Sequence, residues 1–271
     1  MRIMRYHQIK EMDPYLSTIK GRYKLNPAFN LQNCQGEIVV LMGGRSSCVA
    51  WLHQVFQEQH DIQKRTYAGG RAIAAATNEA EFYYRNLSPV HSIYHQVYQV
   101  IHYYQSYLGV NQKKTLTEQY LTAAGLQAYR DLTPLQVPGL VIQQTKLALR
   151  FAAGHAVVLL DYLFDSLDAS EKGLLHMSLL NLMDSEEKPR TVIYATQHLE
   201  DAVFMADRIL IMNPVKLGAI AENLSVWLPR PRNRQTLKNL PTYKALLKLL
   251  HYLLTDALAV EDQHLLKQFA N

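Results

Sequence analysis

Val157-Val158-Leu159-Leu160-Asp161-Tyr162-Leu163-Phe164-Asp165-Ser166-Leu167-Asp168 opens as four consecutive apolar residues and ends that run on a carboxylate. A short apolar run bounded by loop residues predicts a strand buried on both faces of a parallel sheet. Such a strand would deliver Asp161 to the sheet edge, ahead of a loop carrying Asp165 and Asp168. The flanking sequence keeps the same rhythm. Val141 to Ala153 predicts a helix with Leu147, Leu149 and Phe151 in the core, and Ala169 to Met183 a second, amphipathic one. A charged turn from Asp184 to Arg190 leads to a strand over Thr191 to Thr196, a helix starting at Gln197-His198-Leu199, and a strand over Arg208 to Met212. Strands alternating with helices predict an α/β fold with a parallel sheet covered on both faces.

Composition sets the outer bounds. The 271 residues are 48% apolar and 19% charged, as in an ordinary globular protein. No apolar run reaches the roughly 18 residues of a membrane span. Met1 to Tyr6 lacks the apolar core of a signal peptide, so a cytosolic location is expected. Cys34 and Cys48 have no CxxC spacing and predict neither a disulfide framework nor a zinc site. A net charge of +5 leaves nucleic acid, an anionic lipid surface or no charged partner open.

A second apolar run, Ile38 to Met42, passes into Gly43-Gly44-Arg45-Ser46-Ser47, and Val49 to Gln59 reads as a helix. Strand, glycine loop, helix is the layout in which backbone N–H groups cradle phosphate. Counted from Gly43, the GxxxxGK[ST] pattern needs Gly, Lys and Ser or Thr where the chain has Cys48, Val49 and Ala50. Val49 brings no cation, Ala50 no hydroxyl for magnesium, and Cys48 places a side chain where backbone should approach closely.

From Tyr83 to Tyr107 the chain is rich in tyrosine and histidine, and helical character is expected from Ser92 onward. His91 and His95 have metal-ligand spacing, but no adjacent acid supports it, and a packing or partner face is the better expectation. Thr115 to Tyr129 predicts a helix with Gly125 late in it, followed by a proline-containing loop from Thr133 to Gly139. Near the end, Trp227 to Arg234 is a basic, proline-punctuated connector, and Tyr243 to Leu254 and Val260 to Phe269 read as a helical tail.

In order and spacing these pieces resemble the ATP-binding subunit of ABC importers, in the branch serving nitrate, sulfonate and taurine. Tyr23, thirteen residues before Gly36, matches the aromatic that stacks on adenine. Phe82 to Pro89 lies over the Q-loop segment, Gln143-Gln144 to Arg150 over the signature helix, and Thr191 to Met212 over the H-loop strand, helix and strand. Leu228-Pro229-Arg230-Pro231-Arg232-Asn233-Arg234 resembles a tail motif of this branch. The resemblance implies a P-loop NTPase (RecA-like) core, an N-terminal β subdomain and a helical subdomain at about residues 89–151. It implies an ABC-type domain over residues 1–225, and a connector and tail over 226–271.

The same resemblance implies a site with its chemistry replaced. Val49 and Ala50 stand for the phosphate-loop lysine and hydroxyl, Tyr83 for the Q-loop glutamine, Tyr162 for the water-activating glutamate and Gln197 for the H-loop histidine. His198 comes one place late, and one residue of slip turns a side chain by about 100° on a helix. The signature corresponds to Val137-Pro138-Gly139-Leu140 or, shifted by one, Pro138-Gly139-Leu140-Val141. Tyr23, Gly43, Gly44, Arg45, Ser46 and Ser47 are the candidate nucleotide contacts, with Asp161 the magnesium ligand if ATP binds. Tyr83, Tyr84, Pro89, Tyr94 and Asp168 are the candidate partner contacts. Positioning and charge stabilisation supply nearly all the catalysis of phosphoryl transfer, so these losses predict a pseudo-ATPase. Two alternatives stand beside it: an ATPase in which Arg45, Asp161 and Asp165 or His198 substitute, and a nucleotide-free interaction module. The implied partners are a membrane subunit and a second ATP-binding subunit at the cytoplasmic face of the inner membrane, with no nucleic acid. ATP and Mg2+ are the implied cofactors, and the residues make neither certain.

Overall fold

The computed structural model describes residues 34–44, 48, 87–160, 163, 164, 166–213, 219–230 and 232–269. Expectations on Tyr23, Arg45 to Ser47, Val49, Ala50, Tyr83, Tyr84, Asp161, Tyr162 and Asp165 fall outside them, as do the N-terminal β subdomain and the helix over Val49 to Gln59. The chain divides into two compact units, Met1–Gln54 with Tyr194–Asn271, and Val55–Ile193. Its five described strands are β1 (Ile38–Met42), β2 (Val157–Leu160), β3 (Thr191–Ala195), β4 (Arg208–Met212) and β5 (Ile220–Ser225). In the first unit β1, β4 and β5 form one sheet in the order β1-β4-β5.

In the first unit β1 is buried along its whole length, as its unbroken apolar run requires. It lies parallel to β4, with Val39 opposite Arg208 and Met42 opposite Ile211. The expected all-parallel sheet needs one correction, because β5 pairs antiparallel with β4. Ile220 to Ser225 reads poorly as a strand because Glu222 and Asn223 interrupt its apolar residues. Helices α5 (Leu199–Met205), α6 (Arg234–Asn239) and α7 (Pro241–Phe269) complete the unit. The two expected tail segments are one helix of 29 residues. No Gly or Pro lies between Tyr243 and Phe269 to break it.

The second unit packs α1 (Ile93–Tyr104), α2 (Val110–Ala124), α3 (Gly139–Ala152) and α4 (Ala169–Asp184) with β2. The side-chain oxygen of Ser92 accepts the His95 N–H at 3.3 Å and starts α1. Helix α2 begins earlier and ends earlier than expected. Gly125 turns left-handed at φ 76°, Gly125 N–H donates to Thr122 O and Leu126 N–H to Leu121 O, and residues 127–129 form a separate 3-10 turn. Leu147, Leu149 and Phe151 are buried as predicted.

A polar node ties two of these helices to the turn that follows α4. Arg190 donates to the Phe151 carbonyl at 2.7 Å and to the Tyr120 hydroxyl at 3.0 Å, and pairs with Glu186. Both members of that pair are buried, at 3% and 7% exposure. Nothing in the sequence pattern marks it, since Glu186 and Arg190 read as part of a charged surface turn.

Candidate functional site

At the C-terminal end of β1, Gly43 adopts φ 140°, and a Cβ built there would lie 3.0 Å from the Met212 Cβ. Packing against the end of β4 therefore accounts for this glycine without any ligand. The Cys48 N–H donates to the Gly44 carbonyl at 3.1 Å, so that amide is already engaged within the loop. Burial pushes the Cys48 thiol up to about 11, which keeps it protonated at neutral pH. Cys48 acts as a packing residue. In the same unit Thr196 N–H donates to Leu41 O at 3.1 Å, bringing the residues after β3 to the sheet end that carries Gly43. Gln197 and His198 follow there, both exposed. His198 is the N-cap residue of α5, its own N–H bonded to Thr196 Oγ1 at 3.1 Å.

In the second unit β2 carries its apolar run to Leu160, buried to 1% exposure, as predicted. Of the loop that follows, Leu163, Phe164 and Leu167 are buried. Asp168 has a definite structural task. Its Oδ1 accepts the N–H groups of Ser170 and Glu171 at 2.8 Å each, and Glu171 Oε2 accepts the Asp168 N–H at 3.1 Å. That is a complete capping box at the start of α4.

Helix α3 starts at Gly139 on Pro138, which offers no side-chain cap. Leu135, just upstream, is 80% exposed. Gln143 lies at the limit of hydrogen-bond range from Ser166, at 3.5 Å. Gln144 is buried and donates to Ser178 Oγ at 3.0 Å, which in turn donates to Ala124 O at 2.9 Å. This glutamine joins three helices and is not presented to solvent.

Pro89 is exposed and Tyr94 half-buried. Tyr94, Tyr98 and His102 stack along one side of α1, at 6.3 Å and 6.1 Å between centroids. The Arg130 guanidinium lies 4.9 Å over the Tyr94 ring, and Lys113 Nζ lies 3.3 Å from His102 Nδ1. An ammonium only donates, so Nδ1 of His102 accepts and Nε2 carries the proton. The row is an aromatic ladder with a cation at each end. Among the described residues no group of three His, Cys, Asp or Glu could hold a metal ion.

The basic connector does something its charge does not predict. Arg232 is buried and donates to the carbonyls of Val203, Phe204, Ala206 and Leu228, closing the C-terminal end of α5. Arg230 pairs with Asp207 at 2.8 Å, and Arg234 with Asp201 at 2.6 Å while lying 4.5 Å over the Phe204 ring. Asp207 Oδ2 also accepts the Ile38 N–H at 2.9 Å. The only signal in the sequence was the spacing of three arginines at alternate positions.

Among solved structures, an ATP-binding cassette captured as a dimer in a post-hydrolysis state with ADP and phosphate matches 72% of this chain and 88% of its own. The TM-score is 0.50 at 19% sequence identity. The fold is that of an ABC-type cassette. Curated relatives of this chain bear compatible names. An uncharacterised ABC transporter ATP-binding protein of Methanocaldococcus jannaschii is 29% identical over 140 residues, 52% of this chain and 51% of that protein. Two others are matched over most of their length. The bicarbonate transport ATP-binding protein CmpD of Synechocystis is 26% identical over 239 residues, covering 87% of this chain and 84% of CmpD. The nitrate import ATP-binding protein NrtD of Synechococcus elongatus is 27% identical over 233 residues, 84% of each chain. No protein-family model matches the chain.

Proposed function

We propose that the cassette is a degenerate ATP-binding subunit, a structural or regulatory partner in a nitrate- or bicarbonate-type small-anion importer. It would sit on the cytoplasmic face of the membrane, bound to a membrane subunit and a second ATP-binding subunit. Among the described residues no helix is long and apolar enough to cross a membrane, which fits attachment through partners. The division into residues 1–225 and 226–271 belongs to the same reading.

The observation that carries the loss of turnover is the start of α3. There Pro138 occupies the capping position and Leu135 lies exposed upstream, where nucleotide recognition would require polar donors. At the other loop, Val49 and Ala50 supply neither a cation nor a magnesium hydroxyl. The Cys48 N–H is already bonded, and Gly43 is explained by packing. Without that cation and that hydroxyl the loop lacks groups that turnover of Mg-ATP draws on. The α1 ladder with Tyr94, together with Pro89 and Asp168, supplies the partner-facing groups of the proposal.

The relatives' names favour a second reading, in which ATP still binds and is hydrolysed slowly. Titrating the pure protein with ATP and Mg2+ while following melting temperature and phosphate release separates the two. A ligand at 100 times its Kd stabilises by about 2.7 kcal/mol. Stabilisation without phosphate release is the result expected of a pseudo-ATPase. No stabilisation points to a nucleotide-free module. Steady release that is lost in Asp161→Asn overturns the proposal.

A further inference from the structure

His91 and His95 stand at the start of α1 with ring centroids 4.6 Å apart and ring planes 30° apart. Both side chains are exposed, which excludes the packing half of the expectation and leaves the partner-face half untouched. The segment that carries them is held from several sides. Ser88 Oγ lies 2.9 Å from His91 Nδ1. The Gln96 side chain accepts the Ser88 N–H and donates to the carbonyls of Ser88 and His91. The His95 N–H is tied to Ser92 Oγ. Two solvent-facing imidazoles on a braced turn have already lost much of the conformational freedom that binding a shared ligand would take from them.

We infer that His91 and His95 form a two-imidazole chelate for a late first-row divalent cation, Cu2+, Ni2+ or Zn2+, with water completing the coordination shell. Imidazole suits these ions. Ser88 supplies the outer-shell contact: when His91 Nδ1–H donates to Oγ, the lone pair lies on Nε2. A turn of the two rings out of their stack brings a nitrogen of each to the roughly 2.0 Å of a metal–imidazole bond. Among the described residues no third metal-ligating side chain joins the pair, so ions that seek many oxygen ligands, such as Mg2+ and Ca2+, do not fit. The site is independent of the nucleotide reading and stands or falls without it.

Calorimetric titration of the full chain with CuCl2, NiCl2 and ZnCl2, with MgCl2 as control, tests this. One site is expected to appear with the three transition ions, tightest for Cu2+, and to be absent with Mg2+. His91→Ala and His95→Ala should each abolish that site, and Ser88→Ala should weaken it about 10-fold. His102→Ala should leave it intact. The chain has 11 histidines, so the variants decide the assignment. Wild-type affinity and stoichiometry in the His91→Ala, His95→Ala double variant overturn it, as does failure of the wild type to take up Cu2+ or Ni2+. Unchanged far-UV circular dichroism shows that the variants fold. Should they not, an unweakened site in Ser88→Ala counts against the proposal.

Discussion

His155 follows Gly154, whose φ of 78° turns the chain out of α3 toward β2. Its ring meets Tyr104 edge-on at 5.5 Å, and its buried Nε2 finds no hydrogen-bond partner among the described residues. Burial, with the nearby Arg190 charge as a smaller cause, pushes its pKa from 6.5 down to about 4. A base whose pKa is depressed by folding stabilises the native state fully above its unfolded value, and this is lost as pH falls toward the folded one. Lowering the pH from about 7 to about 5 should therefore cost up to about 2 kcal/mol from this residue. Urea midpoints at both pH values should show the fall in the wild type and a smaller one in His155→Phe, which keeps the edge contact with Tyr104. Equal pH slopes would refute the assignment. None of this is legible in sequence, because an isolated histidine after a glycine gives no sign of its depth. Gly43 is the opposite case. The sequence marks it clearly, but as part of a phosphate loop, and the structure supplies a packing reason, the Met212 side chain.

At the scale of elements, the presence of the helices was readable and their ends less so. Ser92 and Asp168 are the kinds of residue that satisfy unpaired N–H groups, and each does so. Asp168→Ala should destabilise the protein by about 1 kcal/mol in urea unfolding, and Asp168→Asn by much less, since asparagine caps nearly as well. If Asp168→Ala unfolds at the wild-type midpoint, the cap is not stabilising α4. Gly125 was visible but placed inside a helix that it actually ends, because the apolar spacing continues past it through Leu126 and Tyr129. The 29-residue α7 was read as two pieces although no breaker separates them. In both places backbone preference decides the outcome over hydrophobic periodicity.

On the scale of the molecule, two devices hold the units together internally, and both depend on arginine. In the first unit Arg232 has a side chain 1% exposed and bonds four carbonyls. Arg232→Met should lose about 3 kcal/mol, because buried carbonyls are left without a donor. Urea unfolding should show this, and Lys238→Met, at an exposed surface pair, serves as the control that changes little. A wild-type midpoint for Arg232→Met would remove the connector from the account of stability. By itself the sequence determined the strand–helix alternation and the buried runs of β1 to β4, because these follow from side-chain polarity and backbone preference within a few residues. It also displayed Val49, Ala50, Tyr162 and Gln197 at the positions that prompt the functional proposal. Only the tertiary structure decided that β5 runs antiparallel, that Arg190 and Arg232 are buried and paired, and that His91 and His95 face each other in solvent. Each of these depends on partners brought close by folding, and the charge or spacing of a residue does not reveal which distant carbonyl or ring it will meet.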